Sequence, residues 1–222
     1  MHIDRVIRTR RKTIALIIQR DGSLMVRAPL HASSHQIQAL VERKQDWIEE
    51  KRSAAIKQLS NQISHSFREG EKFLFLGKAY PLLIVEQATY TLSLDDHFRI
   101  TKKVLPKARQ VFTSWFCQQA RQTLAERVAE YARRYGFSYK QVKITSAVTR
   151  WGSCSSSGSL NFTWRLVMAP LDVIDYVVVH ELVHTRVKNH SKDFWAEVKA
   201  IMPDYQVRME WLKRNGSRLK LD

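Results

Sequence analysis

The segment His180-Glu181-Leu182-Val183-His184 constrains this chain more than any other part of its sequence. Residues four apart lie on one face of a helix with their Cβ atoms about 6 Å apart, so His180 and His184 can reach one metal ion. Glu181 is turned by about 100° from His180, where it can flank a metal-bound water without binding the metal. The segment therefore predicts a helical metal site with a general base in the same turn.

The residues before this segment favour a strand, whereas the histidine spacing favours a helix. The two structures predict different distances between His180 and His184. Tyr176-Val177-Val178-Val179 is rich in β-favouring side chains. A strand, however, would place His180 and His184 about 13 Å apart, too far to share an ion. Asp172 suits the first turn of a helix that begins after Pro170. We therefore predict a helix.

A third histidine follows the helical pair. His190 comes six residues after His184, a separation that lets the chain leave the helix and fold back to the metal. Asp193 and Glu197 are alternative third ligands, since carboxylates also bind zinc. Three histidines with one open position are typical of catalytic zinc, which lowers the pKa of a bound water to about 7. We expect His190 as the third ligand and one Zn²⁺, or another divalent transition metal, per chain.

The chain carries a formal net charge of +16. Basic residues outnumber acidic ones by 13 to 7 in residues 1–70, by 12 to 6 in 71–140 and by 12 to 8 in 141–222, so the excess is spread evenly. Such a field attracts nucleic acid, nucleotides or acidic substrates. A solvated basic surface without a specific partner is the alternative.

Two cysteines, Cys117 and Cys154, cannot form a disulfide framework. No apolar run approaches the roughly 20 residues that span a bilayer, and no apolar signal core follows the charged first residues. These features predict a cytoplasmic protein with no membrane partner.

Along the rest of the chain, short β segments alternate with long helices. The predicted elements are a hairpin at 13–27 around Arg20-Asp21-Gly22, a long helix capped by Ser33 or Ser34 and carrying Ile37, Leu40, Val41, Trp47, Ile48, Ala55 and Leu59, hairpins at 73–85 around Gly77 and at 90–100 around Asp95-Asp96, a helix at 106–135 that Gly136 ends, a hairpin at 142–168 leading into the metal helix, a helix capped by Ser191, and a short helix around 205–214. We divide the chain into an N-terminal β-hairpin and helix region, 1–104, and a metal-binding catalytic region, 105–222, that together form one compact unit.

Taken together, the motifs of the chain resemble those of the YgjP-like metallopeptidases, a zincin group. The matching segments are Asp21-Gly22, Val26-Arg27-Ala28-Pro29, Lys44-Gln45-Asp46-Trp47-Ile48, Gly77, Tyr80-Pro81, Arg150-Trp151-Gly152-Ser153-Cys154, Leu160-Asn161, Trp164-Arg165-Leu166, the run from Ile174 to Leu182, Asn189-His190-Ser191 and Phe194-Trp195. They extend over nearly the whole chain.

The resemblance implies an α+β fold with a zincin-like core, in which the metal helix packs on a small mixed or antiparallel sheet. It also implies that His180, His184 and His190 hold the metal and that Glu181 is the general base. Metzincins, which share the histidine spacing, require a glycine three residues after the second histidine. Here that residue is Val187, so we expect the chain to turn near Asn189.

Three functions remain open at this point. A metallopeptidase that uses a metal-bound water is favoured, with a strand of the 142–168 hairpin as the edge to which an extended peptide adds. A nucleoside triphosphate pyrophosphohydrolase, an activity assigned to some family members, needs convergent cations, and the candidates are Arg150, Arg165, Arg186 and Lys188. A nucleic-acid-associated metalloprotein is the third, since the family is similar at its core to the SprT-like zincins, which act on DNA-bound protein.

The segment Arg150-Trp151-Gly152-Ser153-Cys154 is expected to line the cleft. Gly152 permits a close approach of the backbone, and Arg150 offers a planar fork to a carbonyl, carboxylate or phosphate. Trp151 is expected in the core. Arg150, Asn161 and Arg165 are the candidate substrate-binding residues.

Overall fold

A computed structural model describes residues 2–19, 21–60 and 65–221. Internal contacts group the chain into two compact units, Met1–Gln62 and Ile63–Asp222. The strands between residues 72 and 101 thus belong to the same unit as the predicted metal helix. The division of function at residues 104 and 105 stays a prediction.

The first unit is a three-stranded sheet with two helices. Its elements are β1 (Arg5–Thr9), β2 (Ala15–Ile18), β3 (Leu24–Pro29), α1 (Ser34–Arg43) and α2 (Gln45–Ser60). β2 and β3 form the predicted antiparallel hairpin, and Gly22 takes the left-handed conformation that its turn requires (φ 84°). β1 pairs with β3 in parallel, which was not predicted.

The long helix predicted from Ser33 onward is two helices. Ser33 caps α1 through a capping box with Gln36. At Lys44 the backbone leaves helical geometry (φ −109°, ψ 18°), and α2 begins at the next residue. Apolar spacing did not predict this break, because Val41 before it and Ile48 after it are both fully buried in one core. Arg20 and the side chain of Leu59 lie outside the described residues.

The second unit begins with two hairpins and a long helix. They comprise β4 (Lys72–Phe75), β5 (Lys78–Val85), β6 (Leu92–Leu94), β7 (Phe98–Thr101) and α3 (Ala108–Tyr135). The strands form one sheet in the order β4-β5-β7-β6, in which β5 and β7 are parallel. Gly136 ends α3 in the left-handed conformation (φ 67°), as predicted.

A second small sheet leads into the remaining helices. Its elements and those that follow are β8 (Gln141–Thr145), β9 (Gly152–Cys154), β10 (Ser159–Thr163), α4 (Leu171–Val183), α5 (Lys192–Ile201) and α6 (Tyr205–Asn215). The order β8-β10-β9 leaves β9 at the edge, antiparallel to β10. The predicted strand ends at Thr163, because a buried 3-10 turn, Trp164–Met168, joins the sheet to α4. The fold is α+β with small mixed sheets.

Helix α4 lies at the centre of this unit and contacts α3, α5, α6 and β9. It is buried on nearly every side, as expected of a helix that is apolar all round. A bidentate ion pair fixes it to α3, with Arg127 Nε and Nη2 donating to the two carboxylate oxygens of Asp175 at 2.6 and 2.7 Å. Within the described residues, no helix has the length and apolar character to cross a membrane.

Candidate metal centre

Helix α4 carries the His-Glu-x-x-His segment on its last turn. Its final helical residue is Val183, and His184 follows as the C-cap with helical backbone angles. The His184 N–H donates to the His180 carbonyl at 3.3 Å, so helical spacing continues through the second histidine. The strand-like run before His180 is helical, as predicted.

The three histidines converge on one point. His190 Nε2 lies 3.0 Å from His180 Nε2 and 3.2 Å from His184 Nε2. The chain returns to this point through a bend at Asn189, where the turn was expected. Nitrogens that bind one ion tetrahedrally at about 2.0–2.1 Å lie about 3.3 Å apart, so the observed spacing fits a single zinc-sized ion.

Hydrogen bonding among the rings does not account for this convergence. The Nδ1–H of His184 donates to the Val187 carbonyl at 3.0 Å, which leaves Nε2 of that ring as an acceptor. If His190 Nε2 carries a proton, that proton serves one of its two close neighbours and leaves the other contact without a hydrogen bond. If His180 Nε2–H donates to His190 instead, the lone pairs of His190 and His184 face each other. A cation bound by all three nitrogens satisfies every one of them.

The surroundings also favour the neutral, metal-binding form of the rings. Burial, followed by the neighbouring His184 and His190, lowers the pKa of His180 to about 3. Burial likewise lowers the pKa of His184, against the opposing effect of its hydrogen bond to Val187. Neutral imidazole is the form that binds metals, so the donor set fits a divalent transition metal.

Aromatic rings from α5 lie against the three histidines. The Phe194 ring centroid lies 4.9, 4.5 and 4.7 Å from those of His180, His184 and His190. Trp195 stacks on His190 at 5.7 Å. An apolar shell of this kind limits solvent access and fixes ring orientation.

Arg186 anchors the loop between the second and third histidines. Its guanidinium donates to the Tyr135 and Gly136 carbonyls at the end of α3 and to the Glu197 carboxylate, at 2.9, 2.7 and 2.6 Å. It also lies 4.0 Å above the centroid of the Phe137 ring. Glu197 is therefore engaged by Arg186, and neither alternative carboxylate belongs to the histidine cluster.

Glu181, the residue after His180 on α4, faces β9. Its side chain is buried, and Oε2 has no hydrogen-bond partner among the described residues. Burial raises the pKa of the carboxyl to about 7. The backbone of Gly152 packs directly on it, since a Cβ there would lie 2.6 Å from Glu181 Oε1. Gly152 thus makes the close approach that the sequence predicted.

An apolar cavity of about 350 Å³ opens beside His180 and Glu181. Its other walls are Trp151, Gly152, Tyr176, Val177, Met209, Leu212 and Lys213. Burial, followed by the nearby Tyr205 and Glu181, raises the pKa of Tyr176 to about 12, so its hydroxyl keeps its proton. The sequence analysis did not find the wall that α6 provides, because α6 reaches the site only by tertiary packing.

Comparison with known proteins agrees with this geometry. The family model described as "YgjP-like, metallopeptidase domain" matches residues 12–215. The chain belongs to this family. Membership makes it a metal-dependent hydrolase of the peptidase class, with a divalent metal and a peptide substrate.

Other comparisons give more distant likenesses of this YgjP-like chain. A similar solved structure is the metallopeptidase zymogen of Pyrococcus abyssi abylysin, with 18% sequence identity and a TM-score of 0.40. The match covers 43% of this chain and 96% of the other. No curated protein matches the sequence.

The three candidate substrate-binding residues of the YgjP-like chain lie in different surroundings. Arg150 and Asn161 line one cavity beside β9. Arg165 lies 4.4 Å above the centroid of the Trp164 ring and donates to the Ser146 carbonyl at 3.1 Å. The structure thus brings two of the three together, next to the strand that carries Gly152.

A second group of possible metal donors lies on the β6–β7 turn. It consists of the side chains of Asp95, Asp96 and His97. Arg99 forms ion pairs with both carboxylates, and the His97 ring lies 3.0 Å from Asp96. These carboxylates already have partners, so the histidine cluster is the better candidate metal site of this YgjP-like chain.

Proposed function

We propose that the chain is a zinc-dependent peptidase that holds one ion per chain through His180, His184 and His190 and uses Glu181 as its general base. The convergence of three Nε2 atoms beside a buried carboxylate carries the proposal. Zinc bound there would act as a Lewis acid that lowers the pKa of water to about 7 and polarises the scissile carbonyl.

Glu181 is suited to moving a proton during hydrolysis. Its carboxyl is buried beside His180, and Oε2 has no hydrogen-bond partner among the described residues, so this oxygen is free to take a proton and later release it. We assign it the proton lost by the attacking water, which it passes to the leaving amine. The contact with Gly152 limits how far the carboxylate can swing from this position.

The open edge of β9 offers a place for an extended peptide. Thr163 N–H donates to Trp151 O and Ser155 N–H donates to Ser159 O, which marks residues 151, 153 and 155 as those bonded to β10. In an antiparallel ladder the residues between them direct their N–H and C=O groups away. Gly152 and Cys154 therefore present backbone donors and acceptors next to Glu181, and strand addition there would bring a peptide bond to the site.

The cation requirement weighs against the pyrophosphohydrolase alternative. Arg186 is committed to the end of α3 and to Glu197, and Arg165 is engaged by Trp164 and Ser146. Arg150 and Lys188 are left of the four candidates, fewer than a triphosphate requires for convergent recognition. Association with nucleic acid stays a prediction from the net charge.

Product analysis of the metal-loaded protein, with a peptide library and a nucleotide panel in parallel, tests the proposal. We expect peptide cleavage and one zinc per chain by elemental analysis. His190→Ala should lose the metal, and Asp193→Asn should retain it as the matched control. Glu181→Gln should keep metal and fold but lose about 10²-fold or more in turnover. Nucleotide cleavage without peptide cleavage would contradict the proposal.

A further inference from the structure

A second cavity lies beside β9, next to the one that contains His180 and Glu181. It has a volume of about 250 Å³ and is lined by Thr145, Ala147, Arg150, Trp151, Gly152, Ser153, Asn161 and Thr163. Trp151 and Gly152 line both cavities. The two cavities therefore flank the same two residues at the start of the edge strand.

The second cavity lies on the other face of the small sheet. Ser153 pairs with Asn161 across the ladder, and directly paired residues direct their side chains to one face. Gly152, the preceding residue, turns its Cα toward Glu181 on the opposite face. The Arg150 cavity and the Glu181 cavity are thus separated by the plane of the strand.

The cavity contains a positively charged side chain. Arg150 is the charged residue among the described residues that line it, and within the described part of the chain it forms no hydrogen bond or ion pair. The two threonine hydroxyls donate to backbone carbonyls, Thr145 to Phe162 and Thr163 to Ala147, and are already used. The cavity therefore offers a guanidinium with no counter-ion.

Two uncharged side chains complete the polar wall. The Asn161 amide donates to the Ser153 hydroxyl at 3.4 Å, which leaves the Ser153 O–H free to donate into the cavity. A guanidinium fork beside a free hydroxyl donor matches the acceptor pattern of a carboxylate. The volume is below the roughly 300–1,000 Å³ of sites that enclose a whole small molecule, which suits one side chain.

An extended peptide on β9 would reach both cavities. Its side chains alternate between the two faces of the extended sheet, so the residue opposite Gly152 faces Glu181 and the adjacent residue, opposite Ser153, faces Arg150. We propose that the Arg150 cavity binds the carboxylate of an Asp or Glu in the substrate. This acidic residue is the one opposite Ser153, next to the substrate residue that lies opposite Gly152. This inference rests on the proposed peptidase function and gives that function a preference for acidic segments.

Matched peptides test the inference. A peptide that the metal-loaded enzyme cleaves is made in pairs that differ by Glu against Gln at each position around the cut, and kcat/KM is compared within each pair. We expect a Glu preference of about tenfold or more at one position adjacent to the cut, the scale of a hydrogen bond to a charged group. Arg150→Gln should reduce the Glu-to-Gln ratio of kcat/KM to about one. Arg150→Glu should instead cleave a peptide with Lys at that position faster than the matching Glu peptide.

The control is Lys143→Gln. Lys143 pairs with Asn161 in the ladder, so it is an exposed cation on the same face, yet it does not line the cavity. This variant should keep the wild-type ratio. Because the ratio is measured within one protein, partial misfolding of a variant does not change it.

Each failure has a separate meaning. Equal rates for Glu and Gln peptides in the wild type, or equal losses of preference in Arg150→Gln and Lys143→Gln, would overturn the carboxylate site and leave the peptidase intact. Absence of any peptide cleavage by the zinc-loaded protein would overturn the proposed function itself, and the inference with it.

Discussion

Gly152 forms the surface on which the Glu181 side chain rests. A Cβ atom at this position would lie 2.6 Å from both Cγ and Oε1 of Glu181 and 2.9 Å from Cδ, closer than real Cβ contacts allow. Glu181 cannot move far, because its own helix is buried around it. The edge strand and the Glu181 carboxylate therefore fit together only when residue 152 has no side chain.

Replacement of Gly152 should act on turnover and spare the metal. In Gly152→Ala the added methyl group displaces the Glu181 carboxylate, so we expect kcat to fall by about 10²-fold, the scale of general-base catalysis. The three atoms nearest to the added methyl group all belong to Glu181, so zinc content should stay at the wild-type level. Steady-state kinetics with elemental analysis measures both quantities.

A second substitution shows whether the contact itself is responsible. Glu181→Asp removes one methylene and makes room for the new Cβ, so its cost should be smaller in the Gly152→Ala background than in the wild type. Additive losses of kcat in this double-mutant cycle would mean that residue 152 acts through something other than Glu181.

Arg186 should control how firmly the metal is held. Without its guanidinium, the loop that carries Val187 and His190 loses its bonds to the end of α3 and to Glu197. We expect Arg186→Ala to weaken zinc binding by about tenfold or more, as outer partners of metal ligands do. Chelator competition measures this change. Lys188→Ala, which removes an exposed cation from the same loop, should bind zinc like the wild type.

The Arg127–Asp175 pair should stabilise the whole second unit. Asp175 is nearly buried, and Arg127→Ala would leave its carboxylate without its cationic partner. We expect a loss of about 3 kcal/mol in the free energy of unfolding, at the lower end for a broken buried pair because Arg127 is partly exposed. Urea denaturation measures it. Arg133→Ala, an exposed site on the same helix, should change it by less than about 0.5 kcal/mol.

Glu71 should contribute a pH-dependent part of stability. Burial opposes its ionisation, but the Arg68 N–H, the His65 ring and the Ser66 N–H outweigh burial and hold the pKa below its ordinary 4.5. A lowered pKa in the folded state means that the contribution is complete above pH 4.5 and is lost as pH falls through the lower folded value.

The comparison with Glu71→Gln measures that contribution. At neutral pH the variant should be less stable by about 1.5 kcal/mol, the lower end for a hydrogen bond to a charged group. The difference should shrink as unfolding is repeated at successive steps below pH 4.5. A difference that stays constant with pH would show that Glu71 acts as a neutral hydrogen-bond partner. Glu126→Gln, at an exposed site, is the control.

The histidine cluster was predictable because its information is local. Spacings of four and six residues, read with helix geometry, were enough to bring His180, His184 and His190 together. The same holds for the turn at Gly22 and the end of α3 at Gly136, where the backbone takes the positive φ angle that glycine adopts without strain.

Contacts between distant segments were not predictable in this way. Arg186 was a candidate phosphate ligand in the sequence, but it caps a helix that ends about 50 residues earlier. Asn161 was grouped with the cleft, yet strand alternation turns it to the face away from Glu181. The outer wall of the apolar cavity comes from α6, whose position depends on packing rather than on any motif.

The shortness of β9 has a consequence for solubility. A strand edge that can pair with a substrate peptide can also pair with the same edge of another copy of the chain. Long open edges are therefore a common origin of aggregation. Here the edge is three residues long and presents outward groups at Gly152 and Cys154. Pairing of two such short edges would form few backbone hydrogen bonds. A substrate peptide that also places side chains in the adjacent cavities would form more contacts. The three-residue length of β9 thus limits self-association through this edge.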